Sequence, residues 1–177
     1  MLRSRSRLWI GYYLACCSWA TSERTGGMAG KADVTEDEWR IVLEGPPTAG
    51  MIVVTAQRGG TFRETLAIAK AYVEARKHHG ESELLDELVS AKPEIDHTRY
   101  RSAEELKEHG LQHLRGAVEL LGRKATPEEL DDYKRFVLNV ADKVASAHRE
   151  GGESVSADER AAIEAIAASL GTAAPEG

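Results

Sequence analysis

One short pattern recurs five times along this chain and restricts the folds open to it. Ser or Thr is followed three residues later by Glu, and each pair precedes a stretch in which apolar residues recur at helical spacing. In such a capping box the hydroxyl accepts a hydrogen bond from a backbone N–H at the helix start, and the Glu accepts one from the cap residue. Five helix starts predict an all-α chain. The pairs are Thr35/Glu38, Thr61/Glu64, Ser102/Glu105, Thr126/Glu129 and Ser156/Glu159.

The apolar periodicity extends these starts into helices. We predict helices over 61–77, 82–89, 102–121, 126–148 and 157–170, separated by breaks rich in Gly and Pro. The 61–77 helix is apolar around most of its circumference, so we expect it at the centre. The prediction is a single all-α domain over residues 33–171, with about six to seven helices in orthogonal or bundle-like packing. A disordered tail over 172–177 should follow it.

The segment 47–56 fits two kinds of element. Its run Met51-Ile52-Val53-Val54-Thr55 is typical of a buried strand, because β-branched side chains favour strands. No second strand is predicted anywhere to pair with it, and a lone strand is not stable. We therefore predict a buried helix, preceded by a break at Gly45-Pro46-Pro47.

The first 27 residues differ from the rest of the chain. They contain both cysteines, two of the three tryptophans, and four arginines against one glutamate. Because the formal net charge of the chain is −6, the residues from Met28 onward carry −9. We favour the interpretation that Met28 is the true start and that 1–27 is a gene-model extension. A secretory leader is the alternative, since a basic start precedes the apolar run Leu8–Ala20.

Composition excludes several classes of protein. The apolar run is shorter than the roughly 20 residues of a membrane span, so no stable span is expected. An acidic chain has no global field that attracts nucleic acid. The cysteine-free body lacks a disulfide framework, a zinc–thiolate site and a cysteine nucleophile. We predict a cytoplasmic protein, secreted only if 1–27 is a genuine leader.

Few residues are candidates for catalysis or metal binding. His109 and His113 stand four residues apart, where two imidazoles can share a metal, but Gly110 takes the place of the Glu that a zinc protease needs. We interpret His113 as a histidine at the core edge with a backbone partner. Most acidic clusters fall at predicted helix starts, where the helix dipole favours carboxylates. We therefore expect no enzyme and no obligatory cofactor.

Two segments resemble known groups of proteins. The stretch from Gly152 to Arg160, continuing through Ile163 and Ile166 to Gly171, resembles the loop-helix of tellurite-resistance TerB-like domains. The segment 38–44 with 49–51 is similar to an uncharacterised group of small bacterial helical proteins. The TerB-like resemblance implies an acidic helical fold, a role in stress response and divalent-metal binding. By this resemblance, the metal ligands would be Glu153, Asp158 and Glu159. The segment Gly151-Gly152-Glu153 lacks the aspartate that the family usually has there.

Two functions follow as expectations. The first is a non-enzymatic helical protein that binds an unknown protein partner in a bacterial stress response, for which an exposed apolar surface is expected. The alternative is an acidic TerB-like module that binds a divalent metal ion.

Overall fold

A computed structural model describes residues 34–56, 62–78, 82–93, 100–149 and 156–173. Within these ranges every regular element is helical, which confirms the all-α prediction. No helix there combines the length and apolar character needed to cross a bilayer. The segment 1–27 and the end of the tail lie outside the described residues, so the predictions about them stay predictions. The helices are α1 (Glu36–Ala56), α2 (Phe62–Ala75, continued by a 3-10 turn, Arg76–His78), α3 (Glu83–Ser90), α4 (Ala103–Lys124), α5 (Pro127–Arg149) and α6 (Ala157–Leu170).

Capping chemistry starts these helices as the sequence predicts. The boxes at the starts of α1, α5 and α6 are complete, with the hydroxyl and the carboxylate each accepting a backbone N–H. At α4 only half of the box forms, because the Glu105 carboxylate accepts from the backbone N–H of Arg101 rather than Ser102. The Thr61/Glu64 pair lies outside the residues whose side chains are described. Ser82 additionally caps α3 by accepting from the Leu85 N–H at 3.3 Å.

The segment 47–56 is helical, as predicted, but the expected break before it is wrong. Helix α1 runs without interruption through Gly45-Pro46-Pro47. A proline inside a helix removes the hydrogen bond to the carbonyl four residues earlier, which for Pro46 is that of Val42. The Tyr133 hydroxyl on α5 donates to this carbonyl at 3.2 Å. Both prolines are buried, so tertiary packing holds the helix where local propensity opposes it.

Helices α1 and α5 lie at the centre, so the expectation that α2 would be central is also wrong. Helix α1 packs against α2, α4, α5 and α6. Its small residues make this possible: a Cβ atom on Gly50 would lie 2.7 Å from Ile68 on α2 and 3.3 Å from Val140 on α5. Helix α2 packs on one side only, and its apolar residues Leu66 and Val73 remain 48% and 54% exposed. Together the buried side chains of the six helices form one hydrophobic core.

Candidate functional site

The residues that the resemblance assigned to a metal do not come together in the described part of the chain. Glu153 lies outside the described residues. Asp158 is exposed on the first turn of α6, at a small pocket of about 290 Å³ that Glu104 and Lys107 also line. Glu159 is buried, 2% exposed, and its carboxylate accepts the backbone N–H of Ser156 at 2.8 Å. Its carboxylate therefore serves as the helix cap, and the metal assignment stays a prediction.

The two histidines of α4 have separate structural contacts. Nε2 of His113 lies 2.9 Å from the carbonyl oxygen of Ile41 and joins α4 to α1, as the backbone-partner interpretation predicts. The ring of His109 stacks on Tyr100, with centroids 6.4 Å apart and an interplanar angle of 18°. Across the described ranges, no group of three or more His, Cys, Asp or Glu side chains is placed to hold a metal ion.

A cleft of about 760 Å³ opens between three helices on another face of the molecule. One wall is a single face of α1, because its lining residues follow the helical spacing i, i+3, i+4, i+7, i+8 from Glu36. The opposite wall is α3 and the segment after it. We call this site the α1–α3 cleft. It is lined by Glu36, Trp39, Arg40, Leu43, Glu44, Tyr72, Asp86, Glu87, Leu88, Ser90, Ala91, Lys92 and Pro93.

The floor of the α1–α3 cleft is apolar and aromatic. Trp39, Tyr72 and Leu88 are 5%, 2% and 0% exposed, so their side chains are set rigidly in the core below the opening. The Tyr72 ring is held edge-on against Phe136 at a centroid distance of 5.0 Å. Burial raises the pKa of Tyr72 above its ordinary value of 10.0. The floor therefore combines a fixed apolar surface with a phenol group.

The wall formed by α3 is fixed by contacts at both ends of a short helix. Leu84, Leu88 and Val89 anchor its inner face in the core. Arg76, in the turn after α2, donates through Nε to the carbonyl oxygen of Val89 at 2.6 Å and through Nη2 to that of Ala91 at 3.5 Å. A cation at a helix C-terminus also complements the helix dipole. These bonds join the C-terminal end of α3 to the turn after α2.

The rim of the cleft is acidic. Four carboxylates line it, two on each wall, against the cations of Arg40 and Lys92. The Arg40 guanidinium is itself 3.6 Å from the Asp37 carboxylate, which is exposed beside the cleft. Glu44, Asp86 and Glu87 each interact with another group of the chain as well.

The sequence contains parts of this site without joining them. The acidic stretches 36–38 and 81–87 both lie near predicted helix starts, where the helix dipole favours carboxylates. Their convergence on one cleft depends on how α1 packs against α2 and α3, which no local motif encodes. The floor residues Tyr72 and Leu88 carry no signal beyond ordinary core periodicity. The one usable signal is Trp39, the only tryptophan after residue 27.

Comparison of the chain with protein-family models, with curated proteins and with solved structures gives no match.

Proposed function

We propose that this chain is a non-enzymatic helical protein that acts by binding a protein partner, and that the α1–α3 cleft is the binding site. The observation that carries the proposal is the combination of a rigid aromatic floor with a cleft of about 760 Å³. Partner proteins commonly insert apolar anchor side chains into clefts of this kind, with a polar rim around the anchor.

The cleft suits a segment of a protein better than catalysis. Its charged groups lie on the rim, and the described part of the chain holds no cluster of metal-ligating side chains beside it. Catalysis would need a nucleophile, acid or base directed at one point of a pocket. A mainly apolar floor with charged groups on the rim instead matches the anatomy of a protein interface.

The wider setting rests on the sequence. A cytoplasmic protein of a bacterial stress response is what the cysteine-free body and the TerB-like resemblance support. The alternative, a divalent-metal module at Glu153, Asp158 and Glu159, has weaker support, because Glu159 already caps α6.

Site-specific photo-crosslinking in cells tests the proposal. A photoreactive residue at Arg40, on the rim, should crosslink to a discrete protein, whereas one at the exposed Arg115 on α4 should not. Losing the Arg40–Asp37 ion pair costs little, because both side chains are exposed.

A blocking variant makes this test specific. Ser90 is exposed at the end of α3 and lines the cleft, so Ser90→Trp places a bulky side chain in the opening at the cost of one exposed hydrogen bond, from the Ser90 hydroxyl to the Asp86 carbonyl oxygen at 2.7 Å. It should abolish the crosslink from Arg40 while the chain unfolds at an unchanged temperature. Equal crosslinking from Arg40 and Arg115, or a crosslink that survives Ser90→Trp, would contradict the proposal.

A further inference from the structure

We propose that the backbone carbonyl of Leu43 is a specificity-determining group of the α1–α3 cleft, and that it selects a partner whose anchor is an aromatic side chain with a hydrogen-bond donor, as in tryptophan. This inference rests on the proposed function and adds the chemistry of the anchor. It follows from the two adjacent prolines inside α1, which leave two helical carbonyls without their usual donors.

The two carbonyls have different surroundings. Pro46 and Pro47 have no N–H, so the carbonyls of Val42 and Leu43 lose the donors that an uninterrupted helix would supply. The Val42 carbonyl lies in the core, where the Tyr133 hydroxyl donates to it at 3.2 Å. No side chain of the described residues donates to the Leu43 carbonyl. Pro47 therefore leaves this acceptor without the partner that an ordinary helix would give it.

Helix geometry places the Leu43 carbonyl on the face of α1 that forms the cleft wall. A helical carbonyl points along the helix axis toward the residue four positions later, which for Leu43 is Pro47. Leu43 lines the cleft and is partly exposed. Pro47, at i+11, is the next position of the series that the lining residues of α1 follow from Glu36. The Leu43 carbonyl therefore lies between two residues of the same helix face, at the end of the wall nearest Pro47.

Docking makes a donor on the partner necessary. In the free protein, water pairs with a carbonyl on a partly exposed residue. A partner that covers the α1 wall removes this water, and an acceptor buried without a replacement donor weakens binding. A leucine or phenylalanine anchor leaves the carbonyl unpaired, whereas a tryptophan anchor combines an apolar ring system with one N–H donor. Tryptophan is also among the residues that most often anchor protein interfaces.

Two small probes isolate this donor. N-acetyl-tryptophanamide carries the indole N–H, and its benzothienylalanine analogue has a sulfur atom in place of that N–H on a ring of the same shape. Labelling the full chain with carbonyl-13C leucine and 15N glutamate gives one carbonyl signal by NMR, because Leu43-Glu44 is the only Leu-Glu pair in the sequence. The tryptophan probe should bind at least about fivefold more tightly than the analogue. It alone should move the Leu43 carbonyl signal downfield, as a new hydrogen bond does.

Pro47→Ala tests the carbonyl while keeping the side chains that line the cleft, because Pro47 is not one of them. Alanine supplies an N–H at this position, so the Leu43 carbonyl gains a donor within α1. The preference for the tryptophan probe should then fall to about twofold or less. Pro46→Ala is the matched control, because it adds a donor for the Val42 carbonyl, which already accepts from Tyr133. This control should keep the preference of the parent, and the comparison of the two probes on the parent needs no variant.

The outcomes separate this inference from the proposed function. If both probes bind equally and Ser90→Trp abolishes both, the α1–α3 cleft is a docking site, but the Leu43 carbonyl selects nothing. If neither probe binds, or if the tryptophan probe binds without moving the Leu43 signal, the inference is overturned, and the crosslink from Arg40 still decides the proposed function. If Pro46→Ala and Pro47→Ala reduce the preference alike, the effect comes from a general change in α1, and the carbonyl has no part in recognition.

Discussion

The hydroxyl of Tyr133 on α5 donates to the carbonyl oxygen of Val42 on α1, at 3.2 Å, within the core. In an uninterrupted helix that carbonyl would accept from the N–H of residue 46, but residue 46 is a proline. Tyr133 therefore supplies the missing donor to a buried acceptor. Burial also raises the pKa of Tyr133, so the hydroxyl keeps its proton. The hydroxyl can approach this closely because residue 45 is a glycine, at which a Cβ would lie 2.0 Å from the Tyr133 oxygen.

Tyr133→Phe should therefore destabilise the fold by about 1–3 kcal/mol, because it leaves the buried Val42 carbonyl without a partner. Gly45→Ala alone should also destabilise, by about 1–3 kcal/mol, since its Cβ and the hydroxyl cannot share the space. The double variant should be more stable than the sum of the two changes predicts, because removing the hydroxyl leaves Cζ as the nearest atom, at 3.2 Å. Urea unfolding of the four proteins measures this coupling. Strict additivity would contradict the role given to Tyr133.

The Tyr133–Val42 contact shows where sequence reasoning about this fold stops. Helix starts and lengths follow from local chemistry, namely capping residues and apolar periodicity. The structure confirms the starts of α4, α5 and α6 and the ends of α5 and α6, while α4 continues past the predicted end to Lys124. The Pro46-Pro47 pair opposes a helix locally, and its rescue comes from Tyr133, 91 residues away in sequence from Val42. The central position of α1 likewise depends on its small residues. They weaken the apolar periodicity of α1 in the sequence, but they permit close packing against the neighbouring helices. Neither the Tyr133 hydrogen bond nor the close packing of α1 can be deduced from the sequence of a single helix.

Two glycines of α4 should respond in opposite ways to the same substitution. A Cβ on Gly110 would lie 2.9 Å from side-chain carbons of both Thr48 and Ile52 on α1, whereas a Cβ on Gly116 meets nothing within 4 Å. Gly110→Ala should therefore destabilise by about 1–3 kcal/mol through overpacking. Gly116→Ala should stabilise by about 0.5–1 kcal/mol, since alanine has the higher helix propensity. Thermal and urea unfolding check both, and a stabilised Gly110→Ala variant would mean that α1 and α4 are not in close contact.

Stability should depend on pH through Glu38. Its carboxylate accepts from Lys124 Nζ at 2.7 Å and from the backbone N–H and the hydroxyl of Thr35. These bonds, that from Lys124 first, lower the pKa of Glu38 from 4.5 to about 2. Because folding lowers this pKa, between pH 2 and pH 4.5 the Glu38 carboxyl binds a proton more readily in the unfolded chain than in the folded one. The contribution of Glu38 is therefore complete above pH 4.5 and is lost as the pH falls toward 2.

Urea unfolding at several pH values measures this loss. The free energy of unfolding of Glu38→Gln should lie below that of the parent at neutral pH, and the difference should shrink through the window from 4.5 to 2. Lys124→Gln, alone and combined with Glu38→Gln, extends the experiment. The coupling free energy between the two substitutions should decline over the same pH window. A difference that stays constant down to pH 2 would show that the ion pair does not form in solution.

The candidate site could be predicted less well than the fold. Its acidic residues were visible in the sequence, but most acidic residues of a helical protein serve the first turns of helices, as Glu129 and Glu159 do here. What distinguishes the rim carboxylates is that α1 and α3 bring them to one cleft, which Tyr72 also lines. Their separation in sequence and the absence of a spacing rule between them leave that arrangement to tertiary packing.

Arg76 should control both the order of α3 and the affinity of the cleft. Arg76→Ala removes the donors to the carbonyls of Val89 and Ala91, so amide hydrogen exchange in α3 should become about threefold to tenfold faster. Because α3 forms one wall of the α1–α3 cleft, the crosslink from Arg40 to the partner should also be weaker in this variant. Lys77→Ala is the matched control, since the neighbouring Lys77 is exposed and does not line the cleft. If the two variants exchange alike in α3, the wall is held by its buried Leu84, Leu88 and Val89 alone, and the guanidinium has no part in shaping the site.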